Sequence, residues 1–408
     1  MTEVGNLRGA RRQVCLAALA QNVATGLTFG TFGTLVLAIE RDLGMSRTAS
    51  ALTMSAMVLT LSLVAAALGR LLERYSLRAT MLSGSLAGIC GFFVLSLVKE
   101  PALLVVIYAL VLGPATAMLG VLPSNTLATR WAPAEWRGRA LGLVNTPVLV
   151  MVAPLAAGWM LSNYGLRATF LTLALAQLCI TPFFLAVRDG DEGQLASPDP
   201  TQSTLKHPAI LSRPAFWIMI VATGLIVGAG TMKIAHLVPL LTEQKRTFAE
   251  ANLLLALSGG AGLLGSLTFG TLADRFGAAP ALIANALLQA GMWTIFLAPV
   301  GLGWLIADAV VVGACGGGVQ SAFGVLLSNL FGREAFGRAF GLASLFTLPF
   351  LFGLSPLAGL LRERTGDYHL PIGVIVGGFI VAGLLLAALV RSERHGRSLI
   401  IQRRHEDA

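Results

Sequence analysis

GRLLER, residues 69–74, recurs 201 residues later as GTLADR, residues 270–275. Two further pairs follow in the same order: GVLPSN at 120–125 with GVLLSN at 324–329, and GRALGL at 138–143 with GRAFGL at 337–342. Three ordered matches at nearly one offset indicate two parallel halves. Two such halves in a lipid bilayer can place a site between them and rock around it, which is the arrangement of secondary transporters.

The composition is that of a membrane protein. Hydrophobic residues make up 55% of the chain and charged residues 12%, whereas soluble domains average about 25% charged. A 19-residue hydropathy window finds twelve apolar segments, each near the roughly 20 residues that cross a bilayer as a helix. They cover residues 14–38, 50–69, 79–98, 102–123, 139–161, 168–187, 214–239, 250–272, 279–298, 302–328, 338–361 and 370–390. We therefore predict an all-α membrane protein of twelve transmembrane helices.

The twelve helices divide into two sets of six. Residues 1–187 form the first half and residues 214–408 the second, which ends in a short basic tail. Between them, residues 188–213 are rich in proline and polar residues and predict a flexible cytoplasmic linker. The other connections are short and leave no room for a soluble catalytic domain.

The positive charge is distributed unevenly between the two membrane faces. The net charge is +9, and of the 29 Lys and Arg residues 20 fall on the side of the N-terminus, 8 on the other side, and Lys233 within a helix. This bias follows the positive-inside rule and does not require a nucleic-acid partner. We predict an integral protein of a bacterial inner membrane, with both termini cytoplasmic and the basic tail near lipid headgroups.

Motifs for other chemistries are missing from the sequence. It contains no P-loop, zinc-binding His/Glu motif or GxSxG elbow. Its four cysteines lie in predicted helices, without the spacing of metal ligands. We predict no enzymatic activity, no cofactor and no metal.

The repeated motif resembles the signature of the major facilitator superfamily, G-x-x-x-D-R-x-G-R between helices 2 and 3. The second copy matches it at Gly270, Asp274, Arg275 and Gly277. The first copy keeps Gly69, Arg74 and Arg78 but has Glu73 in place of Asp and Ser76 in place of Gly. The resemblance implies a gating role for these residues, in which glycine permits close helix approach and the acid and arginine form a cytoplasmic charge cluster.

Within that superfamily the chain is most similar to the monocarboxylate and oxalate/formate transporter branch. The resemblance is carried by residues 26–33, by Leu43-Gly-Met-Ser46, by Arg130-Trp131 with the following 137–142, and by Ala235-His236-Leu-Val-Pro239. It implies that helices 1, 4, 7 and 10 line a central cavity. The chain departs from the branch by having no basic residue inside helix 8 or helix 11, so the substrate anchor has to lie elsewhere, or the substrate is not an anion.

Two charged residues in the helices are the main candidates for a substrate site, because a charge inside the bilayer is costly and usually functional. Lys233 lies in predicted helix 7 and Asp308 in predicted helix 10. His236 shares the Lys233 side of its helix. The hypothesis is that Lys233 binds a substrate carboxylate while Asp308 or His236 takes up a coupled proton. The alternatives are a structural Lys233–Asp308 pair, snorkelling of Lys233 and a capping role for His236.

Uncharged polar residues in the helices are weaker candidates. Gln21 and Thr25 continue with Thr28 as one stripe of helix 1 that we expect to face the cavity. Asn145 and Gln320 are further candidates for binding, while Asn285 and Gln289 are buried amides that need partners. Interhelical hydrogen bonding is the alternative for each of them.

The predicted function is therefore alternating-access transport of a small organic anion, with protons as a possible second partner. One alternative is an exporter of apolar or cationic drugs, although the aromatic content of 7% and one buried charge of each sign favour a small anion. A non-transporting sensor or scaffold is another, and it should tolerate neutralisation of Lys233 and Asp308.

Overall fold

The computed structural model describes residues 3–71, 76–132, 137–189, 210–298 and 300–406, and their regular secondary structure is helical. The first half contains α1 (Glu3–Thr25), α2 (Thr31–Leu43), α3 (Arg47–Leu71), α4 (Leu77–Leu95), α5 (Pro101–Ile107), α6 (Gly113–Leu119), α7 (Val121–Trp131), α8 (Arg137–Val144) and α9 (Val148–Phe184). The second half contains α10 (Pro214–Glu243), α11 (Phe248–Phe276), α12 (Ala278–Thr294), α13 (Leu302–Thr365) and α14 (His369–Glu406).

Eleven segments within these described ranges are long and apolar enough to cross a membrane. The predicted count is twelve, and the difference arises at residues 140–184, which form one 45-residue segment. Two crossings need about 40 residues, and Gly165 interrupts α9 with φ 80° and ψ 179°. Division of this segment at Gly165 into two crossings stays a prediction.

Helix 1 is longer than predicted and contains a π-helical turn. The predicted range 14–38 lies inside a helical run from Glu3 to Leu43, in which Gly26–Gly30 is π-helical. Gly44, at φ 63°, ends the run in the left-handed conformation that glycine adopts without strain. We call the membrane side on which α2 ends and Arg47 begins α3 the Arg47 face, and the predicted orientation places it outside.

Predicted helix 4 is divided into three pieces. A π-helical turn at Tyr108–Leu112 separates α5 from α6, and Gly120 separates α6 from α7 with φ −75° and ψ −147°. The carbonyl oxygen of Ala109, within the π-turn, accepts a hydrogen bond from Thr60 Oγ1 of α3 at 2.5 Å. Side chains of neighbouring helices thus satisfy backbone groups that an irregular helix would leave unpaired in lipid.

The chain falls into two compact units, and its division into halves on either side of residues 188–213 stays a prediction. The first comprises Met1–Pro198, Thr231–Gly260 and Leu351–Gly366, so it joins parts of α10, α11 and α13 to the first half. The second comprises Asp199–Gly230, Ala261–Phe350 and Asp367–Ala408.

Close backbone packing holds the second unit together. A Cβ atom at Gly317 of α13 would clash with the backbone of Gly262 in α11, and one at Gly265 would clash with the backbone of Ala314. Small residues therefore let these helices approach closely, as is usual in membrane bundles.

Candidate functional site

Lys233 and His236 are buried in α10, as the sequence predicts. Lys233 is 6% exposed and His236 is 1% exposed. Because they are three residues apart, they lie on neighbouring positions of one helix face. At Gly230, one turn before Lys233, an added Cβ atom would meet nothing within 4 Å.

The imidazole of His236 is fixed by α13. Its Nε2 atom lies 3.0 Å from the carbonyl oxygen of Ser355, and one turn earlier Thr231 Oγ1 donates to the Leu351 carbonyl at 3.3 Å. Since a carbonyl oxygen only accepts, Nε2 carries a proton, and a second proton has to add at Nδ1. The bond from Nε2 therefore fixes the orientation of the imidazole against α13.

Helix α2 packs closely on α10 and α11 near this histidine. A Cβ atom at Gly33 would clash with the carbonyl oxygen of Ile234. One residue further, Thr34 Oγ1 lies 2.5 Å from Asn252 Oδ1 of α11, and both side chains are buried. Asn252 is not predicted from the sequence, where it follows the charged start of helix 8 as an ordinary polar residue.

Gln21 is a buried candidate in helix 1 with an amide oxygen that is not paired within the described part of the chain. The residue is 8% exposed, and its Oε1 atom has no hydrogen-bond partner among the described residues. A buried amide oxygen without a partner costs about 1–3 kcal/mol, so it favours binding of water or a ligand. Thr25, half-buried, donates to the Gln21 carbonyl at 2.9 Å.

Thr28, the third residue of the polar stripe of helix 1, lines a small internal void. Thr28 donates to the Ala24 carbonyl at 2.5 Å, and its side chain lines a void of about 10 Å³ shared with Thr116 and Gln177. That void is inside the first-half bundle and has room for about one water molecule.

Asn145 lies at a break in predicted helix 5. It follows α8, and residues 145–147 are not helical before α9 begins at Val148. Its exposed amide donates to Asn125 Oδ1 of α7 at 2.9 Å. The amide pair thus remains accessible from one side, which suits a polar contact with a solute.

Asn22, which sequence reasoning did not select, holds this break in place. Its Nδ2 donates to the carbonyls of Ala18 at 3.0 Å and Thr146 at 2.9 Å, while its Oδ1 accepts from Leu149 N–H at 2.9 Å. The signal in the sequence was an amide facing a proline-containing segment, Pro147, that interrupts helix 5.

Asp308, Gln320, Asn285 and Gln289 lie in the second unit. Asp308 is 1% exposed, as expected for an intramembrane charge, whereas Gln320 is exposed. That Asp308 lies near Lys233 of the first unit stays a prediction. Asn285 donates to the Cys315 carbonyl at 2.9 Å and Gln289 donates to Asn285 Oδ1 at 2.8 Å, so interhelical bonding accounts for these two amides.

The two signature copies differ because their turns differ. Gly277 has φ 96°, which favours glycine, whereas Ser76 has φ −69° and accepts a hydrogen bond from Ala79 N–H at 3.0 Å as the N-cap of α4. The first turn therefore needs no glycine.

The remaining signature residues are only partly described. A Cβ atom at Gly270 would lie 3.9 Å from Ser321 Cβ, which indicates ordinary packing. Arg78 and Arg275 are exposed. Glu73 and Arg74 lie outside the described residues, and the surroundings of Gly69 and Asp274 are likewise not described, so their gating role stays a prediction.

A cluster of charges at the Arg47 face is the main feature that the sequence did not predict. Arg47 Nε lies 2.9 Å from Glu40 Oε1, and its Nη2 lies 3.8 Å from Glu243 Oε1. Arg362 Nη2 lies 2.8 Å from the same Glu243 oxygen. Beside them, the N–H of Thr48 donates to Glu363 Oε1 at 2.6 Å. The Arg47 side chain is only 9% exposed.

No group of three or more metal-binding side chains occurs within the part of the chain that the structure describes. Taken separately, the first unit holds a buried cation and a histidine with one fixed nitrogen, and the second unit holds a buried carboxylate.

The family model of the Major Facilitator Superfamily matches residues 17–247 and 234–406. The chain is also 28% identical to monocarboxylate transporter 11 of Homo sapiens over 396 residues, which cover 91% of this chain and 82% of that protein. The chain therefore belongs to the major facilitator superfamily, a family of transporters and not of enzymes.

Solved structures agree on the fold. A bacterial homologue of the human lysosomal transporter Spinster, in an inward-facing and unoccupied conformation, gives a TM-score of 0.76 at 13% identity, with 96% of this chain and 98% of that chain covered. The nucleoside transporter NupG gives 0.76 at 14% identity, covering 93% and 99%. A D-xylose-proton symporter gives 0.74 at 14% identity, covering 94% and 97%.

Proposed function

We propose that this member of the major facilitator superfamily moves a small monocarboxylate-like anion across the membrane by alternating access, together with a proton. The observation that carries the proposal is the burial of Lys233 within α10, at 6% exposure, in a chain whose relative by sequence is a monocarboxylate transporter. An ammonium group inside a transmembrane helix is costly and usually functional, and its positive charge attracts the carboxylate of an anionic substrate.

The second part of the proposal concerns the proton. His236 lies one helical turn beyond Lys233, with Nε2 committed to the Ser355 carbonyl at 3.0 Å, so Nδ1 is the atom that exchanges a proton. Asp308, 1% exposed, is the alternative acceptor. Proton uptake by either group offsets the negative charge of the substrate, so that substrate and proton cross the bilayer without a net charge.

In this proposal, the amide side chains form hydrogen bonds with the oxygen atoms and hydroxyl groups of the substrate. Gln21 offers a buried amide whose oxygen is unpaired among the described residues, and Asn145 offers an exposed amide next to Asn125. Gln320 shares a helix face with Gly316 and Gly324, where an added Cβ atom would meet nothing within 4 Å. An exposed amide at membrane depth is best explained by an aqueous cavity.

The test is uptake of radiolabelled small monocarboxylates into proteoliposomes that hold the purified protein, with and without an inward proton gradient. We expect uptake that increases with the gradient and is lost in Lys233→Gln. Absence of uptake for every acid, with folded protein, would favour drug export or sensing. Uptake that does not depend on the gradient would support transport of the anion and contradict its coupling to a proton.

A further inference from the structure

The charge cluster at the Arg47 face shows how this side of the protein is closed. We propose that Arg47, Glu243, Thr48 and Glu363 form a latch that holds the two sequence halves together at this face and opens without leaving a buried charge unpaired. The proposal goes beyond the proposed function, because it does not depend on which solute is carried.

Each arginine of the cluster has a carboxylate partner within its own half of the sequence. Arg47 of α3 pairs with Glu40 of α2 at 2.9 Å, and both belong to the first half. Arg362 of α13 pairs with Glu243 of α10 at 2.8 Å, and both belong to the second half. These two pairs persist when the halves separate, so that neither guanidinium loses its carboxylate.

The contacts between the halves are weaker or use the backbone. Arg47 reaches Glu243 of the second half at only 3.8 Å. Glu363 accepts the backbone N–H of Thr48 at 2.6 Å, and that N–H is one of the first in α3, where a helix leaves its N–H groups without intrahelical partners. Water replaces Glu363 on this N–H when the latch opens, at little cost for a group near the surface.

Close packing beneath the charges explains why the latch excludes water when shut. A Cβ atom at Gly359 would lie 2.9 Å from Thr48 Cα, so α13 meets α3 backbone to backbone. Deeper on the same side, Thr34 donates a hydrogen bond to Asn252 at 2.5 Å.

The ion pairs within each half keep the cost of opening low. Removing a buried partner of an ion pair is strongly destabilising, and retention of the Arg47–Glu40 and Arg362–Glu243 pairs avoids this penalty in each transport cycle.

The latch is tested by the accessibility of a buried reporter. Leu255 of α11 is buried, and its Cδ2 atom would contact a Cβ at Gly33. A Leu255→Cys reporter, in full-length protein whose four native cysteines are replaced, is labelled with a membrane-impermeant maleimide added at the Arg47 face. Glu363→Gln keeps both pairs and leaves an uncharged oxygen facing the Thr48 N–H, so it weakens the contact. We expect labelling to rise about two- to fivefold, because a single exposed charge contact contributes up to about 1 kcal/mol.

The matched control is Asp42→Asn, which removes the same charge from an exposed Arg41–Asp42 pair on the same face. It should leave labelling unchanged. A parallel background that retains only Cys315, buried in the second unit, reports unfolding and should stay unlabelled in Glu363→Gln. Equal labelling of the reporter in Glu363→Gln and in the parent, or an equal rise in Asp42→Asn, would overturn the latch.

A second measurement separates the two kinds of contact. Glu243→Gln removes the carboxylate that pairs Arg362 within the second half, so it should lower the thermal midpoint as well as raise labelling. Glu363→Gln should raise labelling with the midpoint unchanged. A lower midpoint in Glu363→Gln and not in Glu243→Gln would contradict the assignment of pairs to halves.

Discussion

Asn22 contacts both sides of the interruption in predicted helix 5: its amide donates to the Thr146 carbonyl at 2.9 Å and accepts from Leu149 N–H at 2.9 Å. One side chain of helix 1 thus replaces two backbone bonds that the helix lacks around Pro147. The break brings Asn145 beside Asn125, so the side chain of Asn22 also positions a candidate substrate contact.

Asn22→Ala should destabilise the protein and reduce transport. It leaves a carbonyl and an N–H unpaired at membrane depth, at a cost of about 1–3 kcal/mol. The measurement is the thermal midpoint in detergent, together with uptake. The control is Asn163→Ala, because Asn163 is exposed and donates to the Trp159 carbonyl of its own helix. Similar midpoints for the two variants would contradict the role of Asn22.

Lys233→Gln should abolish substrate binding while the protein stays folded. The amide is shorter and uncharged, so a substrate carboxylate loses its counter-ion, while an amide is less costly than an ammonium group inside a transmembrane helix. Uptake and ligand-dependent thermal shift are the measurements. Lys99→Gln, at an exposed position, removes the same charge and should transport normally. Full uptake by Lys233→Gln would sink the assignment.

His236→Gln should separate the structural role of the imidazole from proton uptake. A glutamine N–H can still donate to the Ser355 carbonyl, but no atom then replaces the basic Nδ1. If His236 exchanges the proton, uptake should no longer increase with an inward proton gradient, while gradient-free exchange of substrate persists. Asp308→Asn is the parallel variant, and whichever of the two keeps gradient-driven uptake is not the proton acceptor.

Gly277→Ala should lower stability, since this residue has φ 96° and ψ 152°, and a residue with a side chain adopts that conformation at a cost of roughly 1–3 kcal/mol. Gly291→Ala is the comparison, because an added Cβ there meets nothing within 4 Å and alanine favours the helix by about 0.5–1 kcal/mol. Thermal midpoints of both variants check the prediction, and an unchanged midpoint in Gly277→Ala would contradict it.

Hydropathy was enough to predict the membrane fold and the burial of Lys233 and Asp308, because the cost of placing a charge in lipid can be judged from one segment at a time. It did not predict the π-turns at Gly26–Gly30 and Tyr108–Leu112. The second of these turns receives a hydrogen bond from Thr60 of another helix, which no single segment reveals. The ion cluster was missed for a similar reason. Glu40 and Glu243 look like ordinary interfacial charges at the ends of their helices, and only folding brings Thr48 next to Glu363, 315 residues away.

The contact of Gly33 with the Ile234 carbonyl also provides an engineering handle. Because even a methyl group has no room there, a bulky residue such as tryptophan at position 33 acts as a wedge that holds the Arg47 face apart. This single substitution should therefore favour a conformer that is open at the Arg47 face, which cryo-electron microscopy can image. An image of Gly33→Trp with α2 still seated on α10 would show that the wedge is tolerated.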